Sequence, residues 1–309
     1  MGNLKTSIII ITFNGNERLP RLLLSINEIK DLCFEVIIVD DGSLVNPNEI
    51  IVNLPLNYSW RLINQKNSGR AIAKNVGAAH AQYELLCFLD DDMKIGGDSL
   101  FHFIDHYKRL TKSVCVGTTF EEGSEFDTDI QKFRCYLSEI WQQALEKLEN
   151  PLSAQDLFLA SANFAIKKDM FVEIGGFNST LKDAEDLDLA YRLHLANIPI
   201  YYNLKAVGYH KDKITCRSYV IRNRQYIHGY KVLRESHPNY LNINKRLELV
   251  EVSPTRKFVL SIISQPVFVY LIDHFNVFLV LPKSIRFRFY EMLILGLGRV
   301  FKDRDLIKE

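Results

Sequence analysis

Three adjacent carboxylates, Asp90, Asp91 and Asp92, follow the apolar run YELLCFL directly. Held side by side they repel and raise one another's pKa unless a cation compensates, so the triplet predicts a divalent metal site. Magnesium and manganese prefer carboxylate and phosphate oxygens, and a bound diphosphate would complete such a shell. A solvated acidic loop or helix cap is the plainer reading. Asp40 and Asp41, in IIVDDGS, end a second β-branched run in the same way. An acid there can accept from a base NH or a ribose hydroxyl, although DG followed by Ser is also ordinary turn chemistry.

In NSGRAIAKNVG a glycine precedes Arg70 and an alanine-rich stretch, which sets Arg70 and Lys74 on one helical face with Asn75 beside them. Two cations there could meet a diphosphate, or stand as exposed charges at a helix start. Glu185 and Asp186, in KDAEDLDLAYRL, open another predicted helix, where a carboxylate can take a proton from an attacking hydroxyl. The macrodipole alone also accounts for acids at that position. His210, in VGYHK, could supply a metal ligand or phosphate contact, or be structural.

The elements that must position these residues are legible in the hydrophobic pattern. The runs Ser7–Ile11 and Glu35–Val39 are separated by Leu19, Leu22, Leu23, Ile26 and Ile29 at helical spacing, which predicts a βαβ unit. A third run, Glu84–Leu89, follows a helical stretch around Ala71–Ala81, so parallel strands with crossover helices are expected. In such sheets ligands bind beyond the carboxyl ends of the strands, and TFN, DDGS and DDDM occupy those three positions. Residues 94–150 read as helical and irregular, with an acidic loop, EEGSEFDTD, at 121–129. A strand-like run at Leu157–Ile166, a helix at Ala184–Ala196 and a short run at Pro199–Val207 follow.

The 309 residues allow one large α/β domain, expected over 1–214, and a smaller basic, apolar helical extension over 215–309. Residues 1–210 hold 20 Lys+Arg against 28 Asp+Glu, whereas 211–309 hold 18 against 9, so the halves carry −8 and +9. A basic segment attracts phosphates, anionic lipids or nucleic acid. It begins with a tyrosine-bearing helix, Arg217–Glu235, and continues into the apolar stretch Phe258–Leu281. Asp273, His274 and Asn276 within that stretch argue against a span and for an in-plane or core-packed helix, leaving a packed subdomain and surface membrane contact as the two readings. No nucleic-acid partner is expected, because no recognised module or aromatic platform is present. Five scattered cysteines without a CxxC pair and an N-terminus too short in apolar residues for a secretory signal predict a cytoplasmic protein, peripheral at the cytosolic membrane face if the extension touches lipid.

Taken together, SIIIITFN, IIVDDGS, NSGRAIAKNVG, FLDDDM, IGGFN, AEDLDLAYRL and His210, in this order over about residues 5–212, resemble the family 2 glycosyltransferases. The resemblance implies the A-type glycosyltransferase (GT-A, Rossmann-like) fold. It also implies inverting transfer of one sugar from a nucleotide diphosphate sugar, UDP favoured, to a hydroxyl of a glycan or lipid-linked acceptor in cell-surface polysaccharide or glycolipid synthesis. Residue by residue, it implies that Thr12 and Asn14 line the nucleotide pocket and that Asp41 contacts the base or ribose. Asp90 and Asp92 are the outer acids of a D-x-D motif, with Asp92 the direct ligand of Mn²⁺ or Mg²⁺ and Asp90 and Asp91 on the donor side. Arg70 and Asn75 lie near the donor, Asp186 is the catalytic base, and Glu185 and Lys74 support it. Two positions depart from the family's pattern: Asp91, where a small or apolar residue is commoner, and Ala184, where glycine often precedes the Glu-Asp pair. No Q-x-x-R-W element is present.

Two other classes stand beside this one. Haloacid dehalogenase-type phosphotransferases also place Asp-x-Asp at a strand end, but near the N-terminus and with Thr or Val where this chain has Lys94. A non-catalytic nucleotide-sugar-binding scaffold is the second alternative.

Overall fold

The computed structural model describes residues 4–124, 127–244 and 252–307. Residues 125 and 126 of the acidic loop, and 245–251, 308 and 309 of the expected extension, lie outside the described residues. Two compact units divide the chain, Met1–Glu121 with Trp141–Lys211, and Glu122–Ile140 with Asp212–Glu309.

In the first unit β1 (Thr6–Thr12) has all seven residues buried. Its four isoleucines suit a strand covered on both faces, where β-branched side chains fill the pleated surface. The helix α1 (Leu19–Ile26) packs Leu19, Leu22, Leu23 and Ile26 into the core that also holds Ile8 and Ile10. β1 pairs in parallel with β2 (Phe34–Asp40), which pairs in parallel with β3 (Trp60–Asn64); the single turn α2 (Asn48–Ile51) lies between these two strands in sequence. Helix α3 (Arg70–His80) leads to β4 (Leu85–Asp90), which pairs in parallel with β1 on its other side. The polar residues expected at the strand ends therefore lie at one edge, where β1, β2 and β4 all end.

The second half of the sheet is mixed. Its elements are β5 (Met93–Ile95), α4 (Ser99–Arg109), β6 (Val114–Glu121), α5 (Asp129–Leu145), β7 (Asn163–Lys167), α6 (Lys168–Glu173), α7 (Glu185–Leu195) and β8 (Ile200–His210). The eight strands run in the order β3-β2-β1-β4-β7-β6-β8-β5. β7 is antiparallel to both β4 and β6, β8 is parallel to β6, and β5 is antiparallel to β8.

Several expectations need correction. Residues 94–150 contain a long strand, β6, that the sequence reading missed. Its signal is broken by Gly117, whose missing side chain is required because a Cβ would strike the Asn163 amide and the Ala206 carbonyl, at the point where the β6–β8 register shifts. The run Leu157–Ile166 yields a strand only from Asn163, and the run ending at Val207 continues to His210. The apolar stretch 258–281 is not one helix: Ser264, Gln265 and Pro266 divide it between α10 and α11, given below, because proline cannot continue the helix that precedes it.

The second unit contains α8 (Cys216–Ser236), α9 (Pro238–Ile243), α10 (Pro254–Ile263), α11 (Pro266–Phe275) and α12 (Lys283–Leu295). The segment 122–140, expected with the first domain, belongs here because Ile130 and Phe133 are buried with Val220, Ile272, Phe287 and Tyr290. Asp129, itself buried, fixes its start: Arg286 donates to both carboxylate oxygens at 2.7 and 3.0 Å, and the Tyr290 hydroxyl donates at 2.8 Å. Among the described residues no single helix is long and apolar enough to cross a membrane. The pair α10 and α11, bent by 46°, passes that test together by length and composition only.

Candidate active site

The edge where β4 ends holds the three aspartates, and each faces a different partner. Asp90, the most accessible, lies 3.8 Å from Lys74 Nζ. Asp91 is turned inward: Thr12 Oγ1 donates to its Oδ2 at 2.7 Å, and Arg18 donates to both oxygens at 3.3 Å. Burial pushes its pKa up to about 6, against the pull of Thr12 and Arg18. A Cβ at Gly15 would collide with the same carboxylate, so the close approach of the β1 loop depends on glycine there.

Asp92 Oδ2 lies 2.8 Å from Nε2 of His210, whose Nδ1 lies 3.0 Å from Glu121 Oε2. The sheet register brings these residues together, because His210 pairs with Met93 across β5–β8 and with Glu121 across β6–β8. Burial disfavours the charge on both members, but the His210 hydrogen bond holds the Asp92 carboxyl below its ordinary range. For His210 the same opposition ends with the hydrogen bonds to Asp92 and Glu121 pushing its pKa up to about 10. The ring thus bridges Asp92 and Glu121.

Asp92 Oδ1 is buried and has no hydrogen-bond partner. An orphaned carboxylate oxygen beside the accessible Asp90 fits a hard divalent cation. Such ions take one or two protein carboxylates and fill the remaining positions with water and substrate phosphate. Among the described residues no group of three or more His, Cys, Asp or Glu side chains could hold a metal by itself. A cation bound here would share its shell with a ligand and water.

Lys74, only 1 % exposed, joins this edge to the acidic start of α7. Its Nζ lies 2.5 Å from Ser161 Oγ, 3.3 Å from Glu185 Oε1 and 3.8 Å from Asp90 Oδ1. Glu185 is held below the ordinary carboxylate range although burial opposes it, because Lys74 and Arg70 compensate its charge. Burial, and then repulsion from Glu185, push half-buried Asp186 up to about 7. Arg70 reaches the same region through Asp183 at 2.7 Å. The carboxylate pair opening α7 therefore splits into an ionised, lysine-bound Glu185 and an Asp186 able to exchange a proton near neutrality.

Asn14, Asp41 and Asn75 each also make hydrogen bonds within the chain. Asn14, at φ 50°, accepts from Leu44 N at 2.9 Å, while its own N–H donates to Ser43 Oγ. Asp41 accepts from Gln65, Ser68 N and Gly69 N at 2.7–2.8 Å, which shapes the entry to α3. Asn75 exchanges two hydrogen bonds with the Phe177 backbone and fills the space that a Cβ at Gly176 would need. Three participants were missed: Arg18, Glu121 and Ser161. Glu121 ends the strand that was not foreseen, and the other two carry no local signal that marks them among ordinary loop residues.

The sequence profile of Glycosyl transferase family 2 matches residues 7–175. The chain belongs to that family, and its fold is the GT-A fold. Among curated proteins it is 29% identical over 195 residues to an uncharacterized glycosyltransferase of Haemophilus influenzae, covering 60% of this chain and 61% of the relative. It is 26% identical over 204 residues to the poly-beta-1,6-N-acetyl-D-glucosamine synthase of Staphylococcus epidermidis, covering 65% and 48%. The matched region thus spans about half to three-fifths of the length of these relatives. Among solved structures, the mannosyltransferase PcManGT from Pyrobaculum calidifontis, in complex with GDP-Man and Mn²⁺, superposes with a TM-score of 0.63 at 16% identity, over 97% of this chain and 88% of that one. TarS 1-349 from S. aureus gives 0.55 at 15% identity, over 99% and 93%.

Proposed function

We propose that this chain transfers one sugar, with inversion, from a nucleotide diphosphate sugar to a hydroxyl of a glycan or lipid-linked acceptor, UDP-sugars being the favoured donors. The observation that carries this reading is Lys74. One buried ammonium lies within ion-pair distance of Asp90 in the aspartate triplet and of Glu185 in the acidic pair, so two motifs far apart in sequence form one charged cluster.

In this reading Asp186 is the general base: a carboxyl whose pKa stands at about 7 can take the proton of the attacking hydroxyl at neutral pH. Glu185, kept ionised by Lys74, sustains that raised pKa by repulsion. Asp92, through its unpartnered Oδ1, and the accessible Asp90 are the residues that would hold Mn²⁺ or Mg²⁺. When bound, such an ion neutralises charge on a diphosphate leaving group. Arg18 and Thr12 hold Asp91 inward.

A thermal-shift panel of nucleoside diphosphates and nucleotide sugars, each with Mn²⁺, Mg²⁺ or EDTA, tests the reading. It should include UDP-GlcNAc and GDP-Man, the donors in the complexes of TarS and PcManGT. A metal-dependent rise with one donor, accompanied by its hydrolysis or transfer, supports it; a rise with neither would favour the nucleotide-sugar-binding scaffold, and no rise with any nucleotide would contradict both.

For location, we propose the cytosolic membrane face, with the second unit touching anionic lipid. Phe258, Val259 and Ile262 on α10 and Val280 beyond α11 are exposed, in a region whose 99 residues carry +9. Failure to sediment with anionic vesicles at low salt would end that proposal.

A further inference from the structure

The second unit carries a half-open cavity of about 670 Å³, within the range of about 300–1,000 Å³ common for small-molecule sites. Its apolar wall includes Phe133, Leu137, Ile227, Ile294 and Leu295. Four cations, Arg256, Lys257, Arg299 and Lys302, stand among its lining residues and are exposed at its rim. The acid of the lining, Glu291, lies 3.1 Å from Arg288, and among the described residues none of the four cations has an ion-pair partner.

We infer that this cavity binds an anionic amphiphile, a hydrocarbon chain ending in a phosphate, with the chain against the apolar wall and the phosphate among the rim cations. Two features of the lining select that chemistry. Four cations without an ion-pair partner among the described residues, around one opening, favour a concentrated negative charge. The wall behind them offers Asn223 and Tyr219 as its polar side chains, too few to satisfy a sugar or a nucleotide base but suited to a chain that asks for no hydrogen bonds. The helix α10 also suggests how such a ligand arrives. Arg256 and Lys257 belong to the cavity lining, while the next residue, Phe258, is 67% exposed and Val259 and Ile262 are exposed with it. One short helix thus offers cations for a phosphate and apolar side chains for a lipid phase.

The inference is independent of the transfer reaction, since the test requires neither donor nor metal. Binding of dodecyl phosphate below its micellar concentration to the full chain is measured by native mass spectrometry and calorimetry, beside inorganic phosphate and neutral dodecyl maltoside. The expected result is saturable one-to-one binding of dodecyl phosphate, tighter than either control by at least about tenfold. Two variants locate the site. The exposed set R256Q/K257Q/R299Q/K302Q is expected to lose about tenfold or more in affinity. Ile227→Trp, which narrows the apolar wall and leaves every charge in place, is expected to weaken binding of dodecyl phosphate by about tenfold while keeping attraction to phosphatidylglycerol vesicles. Equal binding of inorganic phosphate, equal binding of dodecyl maltoside, or undiminished binding by Ile227→Trp would each overturn the assignment. Should Ile227→Trp fail to fold, the glutamine set decides alone.

Discussion

Nε2 of His210 lies 2.8 Å from Oδ2 of Asp92, while the other ring nitrogen lies 3.0 Å from Glu121. The histidine is clamped between two carboxylates. Its folded pKa, about 10, stands above the ordinary 6.5, so its contribution to stability is complete below about pH 6.5 and is lost as pH rises through about 10. Glu121→Gln removes one clamp. The imidazole titration followed by NMR is then expected to move down by about one unit or more, and the alkaline loss of stability, which starts at the same pH, to be smaller and complete at a correspondingly lower pH.

Lys74 and Arg70 offer a contrast between a buried and an exposed cation on one helix. Lys74→Met leaves Glu185 buried without its partner and is expected to cost about 3–5 kcal/mol in urea unfolding. Arg70→Met breaks a pair whose arginine is 42% exposed, and is expected to cost less than about 1 kcal/mol.

Asp186 links function to stability with opposite signs. Its folded pKa, about 7, is raised above the ordinary 3.8, so the native state retains a proton that the unfolded chain releases. Stability from this group is greatest below about pH 4 and falls as pH rises to about 7. Asp186→Asn is therefore expected to melt progressively higher than the wild type across that interval, the gap levelling off above it. Transfer should rise with pH through about 7 in the wild type and drop about a hundredfold or more in the variant, with donor binding nearly intact.

Ala184 begins α7 at φ 65°, in the left-handed region that an alanine Cβ disfavours. Ala184→Gly relieves that strain at some cost in unfolded-chain entropy. It is expected to raise the melting temperature by about 1–3 °C without altering the charge cluster.

The parallel half of the sheet was legible in the sequence because its strands are nearly continuous β-branched runs and its helices show one apolar face. The aspartate triplet and the Glu185–Asp186 pair were legible because acids at a strand end or a helix start are chemically conspicuous. What could not be read is which atom faces which. Asp91 looks equivalent to its neighbours, yet Thr12 and Arg18 draw it inward. Asp41 and Asn75 also accept from backbone amides of distant loops, contacts that no local pattern announces. Glu121 became part of the site only through the β6–β8 register, which is a long-range property of the sheet. The division of the chain was hidden for a similar reason: the Asp129–Arg286 pair and the burial of Phe133 among α8, α11 and α12 residues draw 122–140 into the second unit.

The central claim, that the aspartate edge binds a metal with the donor diphosphate, is tested most directly by calorimetry of UDP and GDP with and without Mn²⁺, on the wild type and on Asp92→Asn. The wild type is expected to bind one nucleotide in a Mn²⁺-dependent way that EDTA abolishes, and Asp92→Asn to lose about tenfold or more of that affinity while remaining folded. Full Mn²⁺-dependent affinity in Asp92→Asn would contradict the claim.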